Sequence, residues 1–277
     1  IDVVNEAGRE EVMTFTNTRE SGTLALSKAL KGNATDSEKE FTFRVKLENA
    51  RFDTATQRDA YDVVIREANK ADVQTTVARD ANGEYVLTLK GGQTATLLDV
   101  LYGTTATVAE DDYTAEGYEA VSGQTAAVNG QTPDAAVAFT NERYIGSIEI
   151  TKALAGTGSD KGYGKTFTFD VKLWNEHDLD LLNAQTSTMP SGVDGLTKTN
   201  EQRDGHDVYA GTVSITMGAD GQPVSASITN IPAHTGYEIV ERDYTGDGYT
   251  TQTPQNAFGI IDVVNEAGRE EVMTFTN

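Results

Sequence analysis

One stretch of the chain occurs twice without a single change. Residues 1–17 and residues 261–277 both read IDVVNEAGREEVMTFTN, and a shorter version, AVAFTN, ends at Asn141. A repeated final strand constrains the fold, because a domain that closes with it must begin just after the previous one. We therefore predict two domains, residues 18–141 (the first half) and 142–277 (the second half). Residues 1–17 are then expected to be the orphan last strand of a preceding repeat.

Composition limits the classes of partner. The 277-residue chain carries 43 Asp and Glu against 22 Lys and Arg, a net charge of −21. This charge argues against nucleic acid and against an anionic membrane as partners, because both attract basic patches. Cysteine is absent, so no disulfide stabilises the domains. The three histidines are scattered along the sequence without a metal-binding spacing, so we predict no metal and no cofactor.

Apolar and polar residues alternate along much of the chain. In residues 40–47, Phe41, Phe43, Val45 and Leu47 share one face, and residues 166–174 repeat this pattern in the second half. Short alternating strands between turns rich in Gly, Asn and Asp are typical of antiparallel β-sandwiches. The sequence therefore predicts an all-β fold of two tandem Ig-like sandwiches.

Two insertions depart from the strand pattern. Residues 53–72 place Tyr61, Val64 and Ile65 at helical spacing, which predicts a short helix. Residues 175–207 are rich in Asp, Asn, Thr and Gly, which predicts a long loop.

Three polar residues in each half fall in phase with the apolar face of their strand. Lys28, for example, shares its face with Leu24 and Leu26, since residues i and i+2 of a strand point the same way. One such residue alone more often lies at a strand end and reaches solvent. Two sets in the same order favour burial, which is costly unless their members meet. The predicted sets are the first triad, Lys28, Glu110 and Asn141, and the second triad, Lys152, Glu241 and Asn277.

Burial gives each triad a specific chemistry. A desolvated lysine loses its charge more readily, and a desolvated glutamate holds its proton. The neutral amine is then a nucleophile, and the asparagine carboxamide carbon is the electrophile. Glu110 and Glu241 are the predicted catalytic residues, because a protonated glutamate polarises the carboxamide oxygen and relays protons to the leaving ammonia. The predicted product is one Lys–Asn isopeptide bond per domain, formed once, so the chain is not an enzyme in the usual sense.

The segments around the triads resemble a known family. The lysines lie in SKAL and TKAL, the glutamates in TVAE and EIVE, and the asparagines end the FTN strands. In these features the chain resembles the isopeptide-forming domains of Gram-positive surface proteins, of the major-pilin type and the related collagen-adhesin B type. The resemblance implies a cross-linked stalk or shaft of an extracellular, cell-wall-attached fibre, pilus or adhesin.

Alternatives and partners follow from the same resemblance. A sortase-polymerised major pilin subunit remains open, although the chain contains no LPxTG-like signal and no clear pilin-linkage lysine motif. A ligand-binding adhesin domain that uses residues 175–207 also remains open, and near-identical tandem copies count against it. The expected partners are neighbouring repeats of the fibre, joined by strand complementation through residues 1–17; the sequence specifies no host ligand. Asn17 has no triad partners ahead of it and is expected to stay unreacted unless another chain supplies them.

Weaker candidates lie outside the triads. Asp243 and Asp247 could suggest calcium, but their spacing does not match a calcium-binding loop and favours a turn. Lys161 and Lys165 could accept an intermolecular link, although solvated loop lysines are the usual case. Trp174 could bind sugar, although packing at a sheet edge is the more common role.

Overall fold

The computed structural model describes residues 13–16, 19–49, 58–155, 164–183, 189–250, 256–265 and 267–277. Within these ranges the chain is built almost entirely of β-strands, with short 3₁₀ turns at Thr114–Glu116 and Thr245–Asp247. The predicted all-β class is confirmed. Among the described residues, no helix is long and apolar enough to span a bilayer.

The strands follow the predicted alternation of apolar and polar residues. Those of the first half are β1 (Ser21–Lys31), β2 (Phe41–Asn49), β3 (Ala60–Glu67), β4 (Val73–Ala78), β5 (Glu84–Leu89), β6 (Gln93–Leu101), β7 (Thr104–Glu110), β8 (Gln124–Val128) and β9 (Asp134–Glu142). Those of the second half are β10 (Ile145–Ala153), β11 (Thr166–Asn175), β12 (Asp194–Arg203), β13 (His206–Thr216), β14 (Val224–Pro232), β15 (Thr235–Glu241), β16 (Asn256–Ile261), β17 (Val263–Val264), β18 (Ala267–Gly268) and β19 (Glu270–Thr276).

Each half is a sandwich of two sheets around its own core. In the first half, the described strands form the sheets β4-β3-β6-β1-β9 and β5-β2-β7-β8. In the second half, they form β14-β10-β19 and β12-β13-β11-β15-β16, with a small β17-β18 ribbon. The inner faces of the two sheets bury separate apolar clusters, with Leu26 and Phe43 in the first half and Ile150 and Phe169 in the second. Two tandem sandwiches are thus present.

The first and last strands of each half lie side by side and run parallel. Strand β1 pairs with β9, and β10 pairs with β19, whereas every other strand pair in the described ranges is antiparallel. Two glycines permit this approach. A Cβ at Gly22 would lie 1.9 Å from the carbonyl oxygen of Pro133, and one at Gly146 would lie 2.2 Å from that of Arg269. The parallel pairs modify the antiparallel prediction and bring the two ends of each half together.

The predicted helix in residues 53–72 is wrong wherever the structure describes this stretch. Residues 58–72 contain strand β3, which lies between β4 and β6 and pairs with both. Tyr61 and Val63 are buried on its inner face, and Val63, Val64 and Ile65 are β-branched residues that favour strands. Residues 53–57 lie outside the described residues.

The predicted long loop over residues 175–207 is also wrong in part. Strand β12 occupies Asp194–Arg203 and pairs with β13, which begins at His206. Strand β12 carries almost no buried side chain, so it shows no apolar alternation from which the sequence could have predicted it.

The joint between the two halves is short and is hydrogen-bonded to residues of both halves. Only Arg143 and Tyr144 separate β9 from β10, and both side chains are buried. The Asn33 side chain donates to the carbonyl oxygen of Ile145 over 2.8 Å and accepts from its N–H over 2.9 Å. The N–H of Ala233 donates to the carbonyl oxygen of Tyr144 over 2.9 Å. These contacts fit a defined joint, although the predicted boundaries at residues 17 and 141 stay predictions.

The repeated stretch has two different environments. Residues 1–12 and Asn17 lie outside the described residues, so the expectation for Asn17 stays a prediction. In the described part of the first copy, residues 13–16 belong to no strand and Phe15 is 86% exposed. In the second copy, the equivalent Phe275 lies in β19 and is 0% exposed. The identical side chain is therefore a core residue in one copy and solvent-exposed in the other.

The two phenylalanines offer a matched pair of substitutions. Phe275→Ala should lower the free energy of unfolding of the second half by about 3–5 kcal/mol, because it opens a cavity in a packed core. Phe15→Ala should change it by less than about 0.5 kcal/mol, as an exposed substitution does. Equilibrium urea unfolding measures both, and equal effects of the two substitutions would contradict this assignment.

Candidate cross-linking site

The first triad spans the core of its sandwich. Lys28 lies on β1 and Asn141 on β9, in adjacent parallel strands of one sheet. Glu110 lies at the end of β7 in the opposite sheet and points across the core. Lys28 is 2% exposed, Asn141 is 1% exposed, and the Glu110 side chain is 1% exposed. The burial expected from the strand phase is observed.

The three side chains of the first triad touch. The Lys28 Nζ donates to Glu110 Oε1 over 2.7 Å and makes a short contact with Asn141 Oδ1. Glu110 Oε2 is buried and has no hydrogen-bond partner among the described residues. A buried carboxylate oxygen without a hydrogen-bond partner costs free energy. Protonation of Glu110, or a contact with a reacting group, would reduce this cost.

The second triad repeats the arrangement with one difference. Lys152 Nζ lies 2.8 Å from Glu241 Oε1, with both side chains fully buried, and 3.5 Å from the carbonyl oxygen of Phe275. Asn277 Nδ2 donates to the same Glu241 oxygen over 3.1 Å. Glu241 Oε2 and Asn277 Oδ1 have no hydrogen-bond partner in the described part of the chain. The carboxamide thus faces the lysine in the first triad and the glutamate in the second.

Aromatic rings line the lysine side of each triad. Lys28 Nζ lies 4.0 Å from the centre of the Phe41 ring, and Lys152 Nζ lies 4.7 Å from the centre of the Phe167 ring. Phe139, which precedes Asn141 by two residues, packs edge-on against Phe43 with ring centres 5.2 Å apart. These rings exclude water from the amines, which is the condition the chemistry requires.

Burial shifts the pKa values in the direction that favours reaction. Desolvation lowers the pKa of Lys28 and of Lys152, and the hydrogen bond of each lysine to its glutamate opposes this shift. Desolvation also raises the pKa of Glu110, while the hydrogen bond from Lys28 opposes it. Both shifts make the charged pair less favourable than it is in water. They act in the direction that the proposed nucleophilic amine requires.

A tyrosine turn follows each glutamate, and sequence reasoning missed its role. Tyr113 packs edge-on against Phe41 with ring centres 5.0 Å apart, and its hydroxyl accepts the N–H of Thr42 over 2.8 Å. Tyr244 packs against Phe167 in the same way, with ring centres 4.9 Å apart, and its hydroxyl accepts the N–H of Thr168 over 2.7 Å. The signal was the DYT-x-x-GY pattern, which occurs at residues 112–118 and 243–249. These turns hold the aromatic rings against the lysines.

The weaker candidates have local roles. Asp243 accepts the N–H of Thr245 over 2.8 Å and so caps the tyrosine turn. Asp247 accepts from Lys165 over 2.6 Å. Trp174 is 9% exposed, and the guanidinium of Arg203 lies 5.1 Å from its ring centre. Lys161 lies outside the described residues.

A cleft lies beside the first triad. Its lining includes Glu110, Tyr113, Glu119, Val121 and Asn141. Because Glu110 and Asn141 belong to its lining, the cleft lies against the carboxylate and the carboxamide of the triad.

Comparisons with known proteins identify the repeated unit. The sequence matches the family described as "Domain of unknown function (DUF7601)" over residues 22–143 and again over residues 146–277. No curated protein matches the chain.

Solved structures with similar folds include pilus proteins. The pilus-presented adhesin Cpa aligns at 27% identity over 44% of this chain and 27% of its own, with a TM-score of 0.33. The major pilin from Streptococcus pyogenes aligns at 17% identity over 93% of this chain and 98% of its own, with a TM-score of 0.37. This chain therefore spans less than a third of the adhesin. Pilus proteins are the class that the sequence resembled, but TM-scores this low carry no argument about function.

The buried glutamate makes stability depend on pH once its lysine is removed. In Lys28→Met, Glu110 loses the hydrogen bond that opposes its desolvation, so its folded pKa stays above the unfolded value of 4.5. A carboxyl with a raised folded pKa is fully stabilising below the unfolded pKa, and its contribution is lost as pH rises toward the folded pKa. We expect the melting temperature of Lys28→Met to fall as pH rises above about 4.5.

The control is Lys28→Met combined with Glu110→Gln, which removes the titrating group and keeps its shape. Its first half should show no such fall over the same pH range. A fall of equal size in both variants would show that Glu110 does not titrate as described.

Proposed function

The chain belongs to the DUF7601 family and carries two copies of its domain, and we propose that each copy is a structural module of a bacterial surface fibre, closed by a Lys–Asn isopeptide bond that forms by itself. One observation carries the proposal: both sandwiches bury a lysine, a glutamate and an asparagine in contact inside an apolar core. Buried ionisable groups are costly and rare unless they have a task. Finding the same set twice favours a shared task over chance.

The reaction uses only groups that the triad contains. The neutral Lys28 Nζ attacks the Asn141 carboxamide carbon while protonated Glu110 donates a hydrogen bond to the carboxamide oxygen. A C–N bond forms, and the oxygen carries the developing charge. Glu110 takes a proton from Nζ and passes one to Nδ2, the bond from the carbon to Nδ2 breaks, and ammonia leaves. The glutamate ends protonated as it began, and the second triad follows the same steps.

The position of the bond suits a module under tension. It would join β1 to β9 and close a loop of 113 residues in the first half. A disulfide that closes a loop of about 100 residues stabilises by roughly 4.7 kcal/mol in the chain-entropy model, and an isopeptide bond acts on the same entropy. Force that enters at the first strand and leaves at the last would pass through the bond and bypass the rest of the sandwich. This favours a stalk or shaft that is exported and held at the cell wall.

Intact mass spectrometry tests the bonds. The folded chain should weigh less than its sequence by two molecules of ammonia, one for each triad. Glu110→Ala and Glu241→Ala should each lose only one ammonia, from the intact triad. The double variant should lose none and show the full sequence mass. Asp111→Ala is the matched control, because it removes the neighbouring carboxylate, which pairs with Arg44 outside the core, and should still lose both.

A wild-type chain at full sequence mass would overturn the proposal for both triads. If the double variant still lost two ammonia molecules, the bonds would form, but the glutamates would not be their catalysts. Circular dichroism of each variant shows whether the sandwich has formed.

We also propose that residues 1–17 serve as a last strand for a neighbouring repeat of the fibre. Their sequence is that of residues 261–277, which contain β19 and end at Asn277. In the described part of the first copy, Phe15 is exposed, although its equivalent fills a core. A sandwich whose last strand is missing would offer the groove into which this stretch fits.

A truncated chain tests this strand exchange. A chain that ends at residue 260 lacks the last strand of its second half but keeps residues 1–17. It should form covalent multimers, because Lys152 of one chain meets Asn17 of the next, and these should appear as a ladder on a denaturing gel. Asn17→Ala in the truncated chain should abolish the ladder, and Asn33→Ala should not. Monomers alone would contradict the proposal.

A further inference from the structure

Two histidines that are far apart in the sequence meet at the joint between the halves. His177 follows β11, and His234 lies in the turn between β14 and β15. Their rings stack with centres 4.4 Å apart and an angle of 23° between their planes. Glu119 of the first half completes the cluster, with its Oε1 3.0 Å from His234 Nε2. The histidines are scattered along the sequence, and the fold brings two of them together.

The backbone around the cluster is held in place. The buried Asn175 side chain donates to the carbonyl oxygen of Ala233 over 3.0 Å and accepts the N–H of His177 over 3.0 Å, so it joins the two histidine loops. The N–H of His234 donates to the carbonyl oxygen of Ile261 over 2.8 Å. The N–H of Glu119 donates to the carbonyl oxygen of Glu142 at the end of β9 over 2.9 Å. Hydrogen bonds therefore fix the backbone at Glu119 in the first half and at His177 and His234 in the second.

The donor atoms have the spacing of a metal site. One ligand atom from each of Glu119, His177 and His234 can be chosen so that all three lie within 4.8 Å of one another. Tetrahedral zinc, with Zn–N bonds of about 2.0–2.1 Å, places neighbouring donors about 3.3 Å apart. The Glu119–His234 pair already has nearly this separation, and the His177 ring would have to turn out of its stack on His234 to direct a nitrogen at the same ion. The exposed His177 ring has no hydrogen-bond partner among the described residues, so ligation would replace only its stacking on His234.

The chemistry of the donors selects the kind of ion. Two imidazoles and one carboxylate suit a borderline divalent ion such as zinc, whereas calcium and magnesium prefer oxygen ligands alone. Three protein ligands leave a fourth position for water. The cluster faces a small cavity that Tyr144 and Pro232 also line, so there is room beside the ligands.

We propose that Glu119, His177 and His234 form a zinc site that clamps the two halves together. The clamp would link the two halves across their joint. The proposed isopeptide bonds do not do this, because each lies within one half. Zinc binding would restrict bending between the modules, and removal of zinc would release it. The zinc proposal does not depend on the triads, because none of the three proposed ligands belongs to a triad.

A hydrogen bond between Glu119 and His234 without any metal is the competing explanation. It accounts for the 3.0 Å contact, and the exposed His177 ring then only stacks on His234. The two explanations differ in whether His177 matters and in whether zinc is bound.

Isothermal titration of Zn²⁺ into the full, tag-free, metal-stripped chain tests the site. We expect one zinc per chain. His177→Ala, His234→Ala and Glu119→Ala should each weaken binding at least about tenfold, the scale on which even outer-shell changes act. His206→Ala is the matched control, because this third histidine contacts Asp178 over 2.8 Å and is not a proposed ligand; its binding should not change.

Thermal unfolding gives a second measure that does not depend on the heat of binding. Excess Zn²⁺ should raise the melting temperature of wild type and of His206→Ala, because a ligand of the folded state stabilises it. It should not raise that of His177→Ala. Absence of stoichiometric binding, or binding that His177→Ala and His234→Ala leave unchanged, would overturn the proposal.

Discussion

The rest of the structure depends on the burial of a lysine against a glutamate inside an apolar sandwich. Removing two charges from water costs several kcal/mol per ion, and their attraction offsets this only when the geometry is good and the other polar atoms are satisfied. Here Glu110 Oε2 and Glu241 Oε2 have no hydrogen-bond partner in the described ranges. Two neutral groups, or a covalent amide, relieve that cost. In the proposed reaction, burial favours the chemistry, and the resulting amide removes the cost of the buried charges.

The fold places the reacting groups by pairing its two ends. Glycine at the start of β1 and of β10 lets the last strand approach in a parallel arrangement. Lysine and asparagine then share a sheet, and the glutamate reaches them from the opposite sheet. Phe41 and Phe167 cover the amines, and the tyrosine turns hold these rings. The same parts occur in both halves although most of their sequences differ, and the shared positions are those that the proposed reaction would use.

Sequence reasoning succeeded where a side chain's direction follows from strand alternation alone. The phase of Lys28 with its apolar neighbours was enough to predict its burial. It failed over residues 58–72, because Tyr61, Val64 and Ile65 fit a helical spacing, whereas pairing on both sides and β-branching selected a strand. It could not bring His177 and His234 together, because only the path of the chain through several strands sets their distance. The tyrosine turns repeat in the sequence, but their packing against the phenylalanine ring that covers each lysine is a tertiary contact.

The central claim is that a covalent bond closes each half between its first and last strands. Single-molecule stretching of the chain from its two ends tests this most directly. The chain between Lys28 and Asn141, a sequence separation of 113, lies behind the bond and cannot extend, so the wild-type chain should show no unfolding step from either half. The Glu110→Ala and Glu241→Ala double variant should release roughly 400 Å of chain per half, at about 3.3–3.6 Å per residue. Steps of that length in the wild-type chain would contradict the account.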